Sequence, residues 1–197
     1  ATEHLGFALT SSVLQAHPFT FARQMSTLDH LTEGRIAWNV VTSYLPNAGT
    51  NLGFGGLPPH DERYRRAEEY LEVTYKLWEG SWEDGAVLKD TARGVYADPA
   101  QIHPINHSGE FYEVAGPHLS EPSPQRTPLL FQAGSSDRGR DFAAKHAECV
   151  FTFASLRSLR ATTSILEDVR ARAVRQGRQP KDILFFQGVT PVVGGTE

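Results

Sequence analysis

Cysteine is nearly absent from this sequence, and there is no excess of positive charge and no long apolar run. The single cysteine, Cys149, excludes a disulfide framework within the chain, and its apolar neighbours favour a buried structural thiol over a nucleophile. The 19 Lys and Arg residues are scattered and are outnumbered by 23 Asp and Glu residues, so no nucleic-acid partner is expected. Because no run of about 18 apolar residues is present, no membrane-spanning segment is expected either.

Common signatures of catalysis and targeting are missing as well. The sequence contains no P-loop, nucleophile elbow, Cys-x-x-Cys pair or dinucleotide-binding glycine fingerprint, which removes the usual support for hydrolases and nucleotide triphosphatases. It has no basic segment followed by an apolar one, so the cytoplasm is the default location. It also starts without Met, directly in a strand-like run, so we expect a fragment of a longer protein.

What is present is organised around a short apolar run with a polar end. Residues 36–41 are mostly β-branched or aromatic and are bounded by turn residues, which predicts a buried strand. Asn39, Thr42 and Ser43 lie at or beside its carboxyl end, where parallel α/β folds place their ligands. Residues 5–10 form a second such run that closes in polar residues, so the two strand ends are expected to share one face.

Helical patterns alternate with further short strands. Between the first two strands, Phe21, Met25, Leu28 and Leu31 recur at the spacing of one helix face, which Gly34 would end. The other predicted strands are residues 127–132, 149–153 and 183–193, and the other predicted helices begin near residues 60, 139 and 159. This alternation predicts a mainly parallel sheet wound by helices, and it fits a closed barrel and an open sheet equally well.

Two stretches interrupt the alternation. Residues 44–59 are rich in Pro, Asn and Gly and predict a long loop, and residues 81–124 predict an irregular insertion with a small hairpin around residues 111–114. We expect residues 1–197 to form a single domain that carries this insertion. Both stretches are candidate lids that exclude water from a site.

The strongest candidate site from the residues alone is the turn Gly134, Ser135 and Ser136 between a strand and a helix. Free N–H groups at a helix start, beside two hydroxyls, form a natural phosphate site. The alternative is that Ser136 only caps the helix. His60 and Tyr64 share a helix face and would bind the same anion, unless they are only a capping His and a half-buried Tyr.

Other titratable residues give weaker support for a functional site. His103 and His107 have ligand-like spacing, but a proline lies between them and no third ligand is evident, so no metal site is expected. Three carboxylates of the helix that begins near residue 60 are expected to form a solvated face: Glu68, Glu69 and Glu72.

Five ordered segments carry a family resemblance, namely residues 26–43, 60–64, 77–82, 121–128 and 132–139. They resemble the bacterial luciferase-like flavin monooxygenases, in the branch of nitrilotriacetate and dibenzothiophene sulfone monooxygenases, and within it the long-chain alkane monooxygenases. The resemblance implies an α/β fold, a TIM (β/α)8 barrel of the luciferase-like type. It also implies that only the central strands and helices are present, together with the insertion, because the family is more than twice this length.

The resemblance assigns residues to two parts of an FMN site. The flavin ring pocket would be lined by Thr10, Asn39, Ser43 and Tyr44. The phosphate would be held by His60, Tyr64, Ser135 and Ser136, which coincides with the anion site argued from helix starts. Asn39 and Tyr44 would be the catalytic residues. The alkane-hydroxylating members carry a His thought to be catalytic at the position of Tyr44, and other members of the branch also lack this His. The departure therefore leaves the expected flavin binding unchanged and argues against alkane hydroxylation.

The implied function is that of an FMN-dependent two-component monooxygenase. Reduced FMN, supplied by a separate flavin reductase that binds transiently, and O₂ would serve to insert one oxygen atom into a small organic substrate such as an alkane, a sulfone or an aminopolycarboxylate. The full-length protein is expected to be a homo-oligomer. Two alternatives stay open, a deazaflavin-dependent oxidoreductase of the same fold and a non-catalytic flavin-binding homologue.

Overall fold

The structure, a computed structural model, describes residues 2–152, 159–188 and 193–195. The chain divides into two compact units, residues 1–129 and 130–197. Parallel strands and helices that follow one another in sequence build both units, as the alternating pattern predicts. No helix within these described ranges is both long enough and apolar enough to cross a membrane.

The first unit is built on two parallel strands and the helices that cover them. β1 (Phe7–Ser12) and β2 (Ile36–Val41) pair in parallel register, and α1 (Pro18–Thr32) connects them. β2 has the predicted bounds, whereas β1 starts and ends two residues later than predicted. The chain then forms α2 (Pro46–Asn51) and the long α3 (His60–Gly80), which packs against α1.

An aromatic cluster joins β2 to the two long helices. Trp38 of β2 is fully buried, and its ring centroid lies 4.5 Å from that of Phe21 in α1 and 5.8 Å from that of Tyr70 in α3. Its indole Nε1 donates a hydrogen bond to the Ser11 carbonyl of β1, at 3.0 Å. Because successive side chains of a strand alternate between faces, this packing fixes the opposite direction for Asn39.

The face of α1 that is buried differs from the predicted one. Phe21 and Met25 are buried, but Leu31 is 75% exposed, and the polar residues Ser26 and Asp29 take the inner positions. Each of these has a partner from the distant end of the unit. Ser26 Oγ lies 2.9 Å from His118 Nε2, and the Asp29 carboxylate accepts from Gln125 N at 2.8 Å and Nε2 at 2.6 Å. The buried stripe is therefore set by polar pairing as well as by apolar spacing.

The predicted loop at residues 44–59 is wrong in part, because α2 lies inside it. Pro46 stands in the first turn of this helix, where its missing N–H is not needed. Pro, Asn and Gly are typical of loops and here conceal a short helix. A Cβ on Gly49 would lie 2.3 Å from the Gly56 carbonyl carbon, so the returning chain packs directly on α2.

The insertion contains two small antiparallel pairs rather than irregular chain alone. β3 (Val87–Asp90) pairs with β4 (Val95–Ala97), and a short 3-10 turn at Pro99–Gln101 follows. β5 (His107–Ser108) then pairs with β6 (Glu113–Val114), which confirms a hairpin around residues 111–114.

The expectation that Glu69 is a solvated residue of α3 is wrong. Its side chain is 11% exposed, and its carboxylate accepts hydrogen bonds from the backbone N–H groups of Phe111 and Tyr112, at 2.9 and 2.8 Å. Oε1 also lies 3.2 Å from Nε2 of the buried His107. The carboxylate is buried because the hairpin supplies donors for it, which α3 by itself does not reveal.

The second unit repeats the arrangement of strand and helix. β7 (Leu129–Gln132), β8 (Cys149–Thr152) and β9 (Leu184–Gln187) are parallel, with β8 between the other two. α4 (Asp137–His146) follows β7, and α5 (Leu159–Arg175) follows β8. Phe153, the last residue of one predicted strand, and residues 189–192 of another lie outside the described residues.

The core of this unit lies between its helices and strands. The small residues Ala143 and Ala173 meet Val150 and Val169 there. Cys149 is buried in β8, and burial raises the pKa of its thiol to about 11. A thiol with a raised pKa is a poor nucleophile, so the prediction of a structural cysteine is confirmed.

Candidate functional site

The polar ends of β1 and β2 meet in the first unit. Thr10 and Asn39 stand directly opposite one another in the parallel register, and Asn39 Nδ2 donates to Thr10 Oγ1 at 3.0 Å. The amide oxygen of Asn39 is buried and has no hydrogen-bond partner within the described part of the chain. A buried acceptor without a donor is costly, so this atom is suited to receive an N–H group from a ligand.

The turn that leaves β2 has an unusual backbone. Ser43 has φ +63°, in the left-handed region that residues other than glycine rarely adopt. Its Oγ donates to Ser12 Oγ at 2.7 Å, which ties the turn back to the end of β1. Tyr44 follows this turn and is 81% exposed, so its phenol points away from the packed part of the first unit.

Arg63 is the residue of this region that the sequence reasoning missed. Its side chain is buried in α3, with the residue only 9% exposed. Nε donates to the Pro58 carbonyl at 3.0 Å, and Nη1 donates to the carbonyls of Thr42, at 3.2 Å, and Ser43. The available signal was its position, because Arg63 precedes Ala67 by four residues on the predicted buried face of the helix.

His60 and Tyr64 lie together at the start of α3, as their spacing predicts. Their ring centroids are 5.0 Å apart, and Tyr64 is buried. His60 Nδ1 lies 2.9 Å from Asp61 Oδ1. Pro59 occupies the N-cap position and makes no side-chain capping hydrogen bond, and the positive end of a helix dipole favours an anion.

Ser135 and Ser136 precede α4 in the second unit. Ser136 is the N-cap residue of α4, and its Oγ accepts a hydrogen bond from Gly139 N at 3.1 Å. The capping role foreseen for Ser136 is therefore confirmed. Ser135 is exposed, and its carbonyl accepts from Arg140 Nε at 3.0 Å.

The histidines that were weighed as metal ligands are engaged elsewhere. His103 Nε2 lies 2.6 Å from Glu83 Oε1, and His107 is paired with Glu69. Across the residues that the structure describes, no three His, Cys, Asp or Glu side chains are grouped so that they would hold a metal ion.

A comparison of the sequence with known families decides the assignment. The profile of the luciferase-like monooxygenases matches residues 1–197. The chain belongs to the luciferase-like monooxygenase family. Its α/β fold is accordingly part of the TIM barrel of this family, and the sequence resemblance is confirmed.

Two curated luciferase-like relatives place the chain more closely. The long-chain alkane monooxygenase of Geobacillus thermodenitrificans is 57% identical over 195 residues, which are 99% of this chain and 44% of the relative. Nitrilotriacetate monooxygenase component A of Aminobacter aminovorans is 41% identical over 196 residues, or 100% of this chain and 43% of the relative. The chain thus spans less than half of the length of these relatives.

A solved luciferase-like structure also resembles the chain in both sequence and fold. Riboflavin lyase, crystallised with modified FMN and its substrate riboflavin, is 42% identical, with a TM-score of 0.89. The match covers 94% of this chain and 41% of that one. The site residues named from the sequence stay a prediction for this member of the luciferase-like family, and their local geometry is the basis of the proposal below.

Proposed function

We propose that the full-length protein is a flavin-dependent monooxygenase that binds reduced FMN and, with O₂, inserts one oxygen atom into a small organic substrate. The observation that carries the proposal is the buried, unpartnered amide oxygen of Asn39 at the carboxyl end of β2, in a chain of the luciferase-like family. Ligands of parallel barrels bind at this end of the strands.

The described residues fit FMN on its ring side. The orphan acceptor of Asn39 suits an N–H group of a reduced flavin ring, and Thr10 fixes the amide from the other side. Ser43 would contribute a hydroxyl from the left-handed turn. Tyr44 would wall the ring or donate its phenol proton once the cofactor or the substrate covers it.

The described residues also fit a phosphate. α3 starts without a capping side chain and carries His60 and Tyr64 in its first turns, and Ser135 and Ser136 lie immediately before α4. Helix N-termini with adjacent hydroxyl and imidazole groups favour phosphates. We therefore propose these four residues as the phosphate ligands of the full-length protein.

When bound, reduced FMN would supply the electrons that activate O₂. The protein would bind and orient the cofactor and exclude water from it. The segment of residues 45–59 is suited to exclusion because Gly49 packs against Gly56 and the segment contains no charged side chain. It would therefore close over the ring without bringing hydrated ions into the pocket.

We also propose that reduced FMN comes from a separate flavin reductase that binds transiently. One relative is named as component A, which names one part of a system with more than one component. The relatives are named for substrates as different as alkanes and nitrilotriacetate, so the substrate is proposed only as a small organic molecule. A homo-oligomeric state and a cytoplasmic location stay predictions.

Anaerobic titration of the full-length protein tests the cofactor. We expect reduced FMN to bind tightly and a reduced deazaflavin to bind weakly. Tight binding of the deazaflavin alone would instead support the oxidoreductase alternative.

Turnover tests the reaction. The full-length protein, a flavin reductase, NADH and isotopically labelled O₂ are incubated with candidate alkanes, sulfides, sulfones and aminopolycarboxylates. We expect label from O₂ in one product. If FMN binds but no product carries the label, the result favours the non-catalytic alternative.

A further inference from the structure

Arg63 holds a charged group in a buried position without an opposite charge. No carboxylate lies within ion-pair distance of its guanidinium among the described residues, and all its described acceptors are backbone carbonyls. Its neighbours in α3 differ in this respect, because Arg65 pairs with Glu110 and Arg66 lies near Glu62. Burying a cation is unfavourable unless its N–H groups donate hydrogen bonds, so the role of Arg63 follows from the three carbonyls that it binds.

Those carbonyls come from both ends of one chain segment. Thr42 and Ser43 lie where the chain leaves β2, and Pro58 lies just before α3. One guanidinium therefore fixes the exit of the strand to the start of the helix. The intervening residues, including α2, do not need to be rigid for this spacing to hold.

The same guanidinium supports the strained residue of the turn. The left-handed φ of Ser43 is unfavourable for a residue with a Cβ and persists only where surrounding contacts hold it. Arg63 binds the Ser43 carbonyl, and Ser12 binds its hydroxyl. The backbone and the side chain of Ser43 are thus both held.

We propose that Arg63 is a positioning residue of the flavin site. It fixes the turn of Thr42 and Ser43 on α3, and so holds Ser43 in place on the ring side of the site. This inference rests on the proposed binding of FMN. It differs from direct capture of the phosphate, because a positioning residue acts on the ring as well.

The test compares FMN with riboflavin, which lacks the phosphate, on the full-length protein. The variants are Arg63→Met, which keeps the length of the side chain without its donors, and Arg63→Lys, which keeps the charge and part of the hydrogen bonding. Arg65→Met is the matched control, because Arg65 is an exposed arginine of the same helix that does not touch the turn. Affinities for both flavins in their reduced state are measured under anaerobic conditions, and the urea midpoint of each variant is measured as well.

We expect Arg63→Met to lower the affinities for FMN and for riboflavin by a similar factor, of about tenfold or more. Arg63→Lys should recover part of both losses, and Arg65→Met should change neither affinity. A loss for FMN alone would make Arg63 a phosphate ligand and overturn the inference. A lowered urea midpoint with unchanged affinities for both flavins would make its role merely structural, and would overturn it too. If Arg63→Met does not fold, Arg63→Lys decides by the same criteria.

A second measurement separates this inference from the proposed function. Hydrogen exchange at residues 42–44 of the flavin-free protein should become faster in Arg63→Met and stay unchanged in Arg65→Met. If the wild-type protein binds neither flavin, the proposed function fails, whatever the exchange shows. If it binds both and exchange at the turn does not change in Arg63→Met, the positioning role is contradicted.

Discussion

Replacing Glu69 with alanine should release the β5–β6 hairpin from α3. The carboxylate accepts from two backbone N–H groups, at 2.9 and 2.8 Å, and faces His107 Nε2 at 3.2 Å, with an exposure of 11%. Hydrogen bonds to a charged group contribute roughly 1.5 to 3 kcal/mol each, and they are not additive within one cluster. Since the variant leaves two partly buried N–H groups without their acceptor, we expect a local loss of about 3 kcal/mol.

Hydrogen exchange is the appropriate assay because the expected opening is local. A loss of about 3 kcal/mol corresponds to a rise of roughly 150-fold in the exchange of the amides of Phe111 and Tyr112 in the full-length protein. Glu110→Ala is the control, since it removes an exposed ion pair between the same hairpin and α3 and should change exchange by less than about threefold. A rise below about threefold in Glu69→Ala would refute the view that this carboxylate holds the hairpin.

Three further predictions concern stability. Met25→Ala should lower the free energy of unfolding by about 2 to 5 kcal/mol, whereas Leu31→Ala, at a site that is 75% exposed, should change it by less than about 0.5 kcal/mol in urea titrations. Gly49→Ala should lower the thermal midpoint and Gly56→Ala should not, because a Cβ meets backbone at 2.3 Å only at Gly49. Burial lowers the pKa of His118 from 6.5 to about 4, so between these pH values the unfolded chain binds a proton that the folded chain does not. His118 should therefore lower the free energy of unfolding by about 3 kcal/mol as the pH drops from 6.5 to 4. His118→Asn should flatten that part of the profile of stability against pH.

The local sequence pattern was sufficient to predict the elements whose structure depends on residues that are close in sequence. β2 has its predicted bounds, and β7 ends at the predicted residue, because each is a short apolar run that is closed by turn residues. α3 has its predicted start and end because an apolar stripe runs the whole length from Tyr64 to Trp78. In these elements, the residues that specify the structure are neighbours in sequence.

The pattern failed where the partner lies far away along the chain. Asp29 is buried because Gln125 supplies its donors, and Glu69 is buried because Phe111 and Tyr112 do. Separations of 96 and of 42 or 43 residues leave no trace in a local window. Nothing in the periodicity of one helix distinguishes a carboxylate with such a partner from a solvated one.

The candidate site likewise has features that the local sequence predicts and features that depend on distant residues. The polar ends of β1 and β2 are evident from the sequence, and the register joins Thr10 to Asn39 as expected for neighbouring parallel strands. The left-handed turn at Ser43 and its guanidinium support were not evident, because Arg63 reads as an ordinary charged residue of a helix start. Its place on the buried face was the one sequence signal for it.

The affinity of the full-length protein for FMN and for riboflavin, in the wild type and in the variant Tyr64→Phe with Ser136→Ala, tests the central claim most directly. Each substitution should remove a phosphate hydrogen bond of roughly 1.5 to 3 kcal/mol, so FMN should bind about 100-fold more weakly or worse. Riboflavin, which has no phosphate, should bind both proteins equally. Unchanged FMN affinity, or an equal loss for riboflavin, would contradict the assignment of the phosphate to these two helix starts.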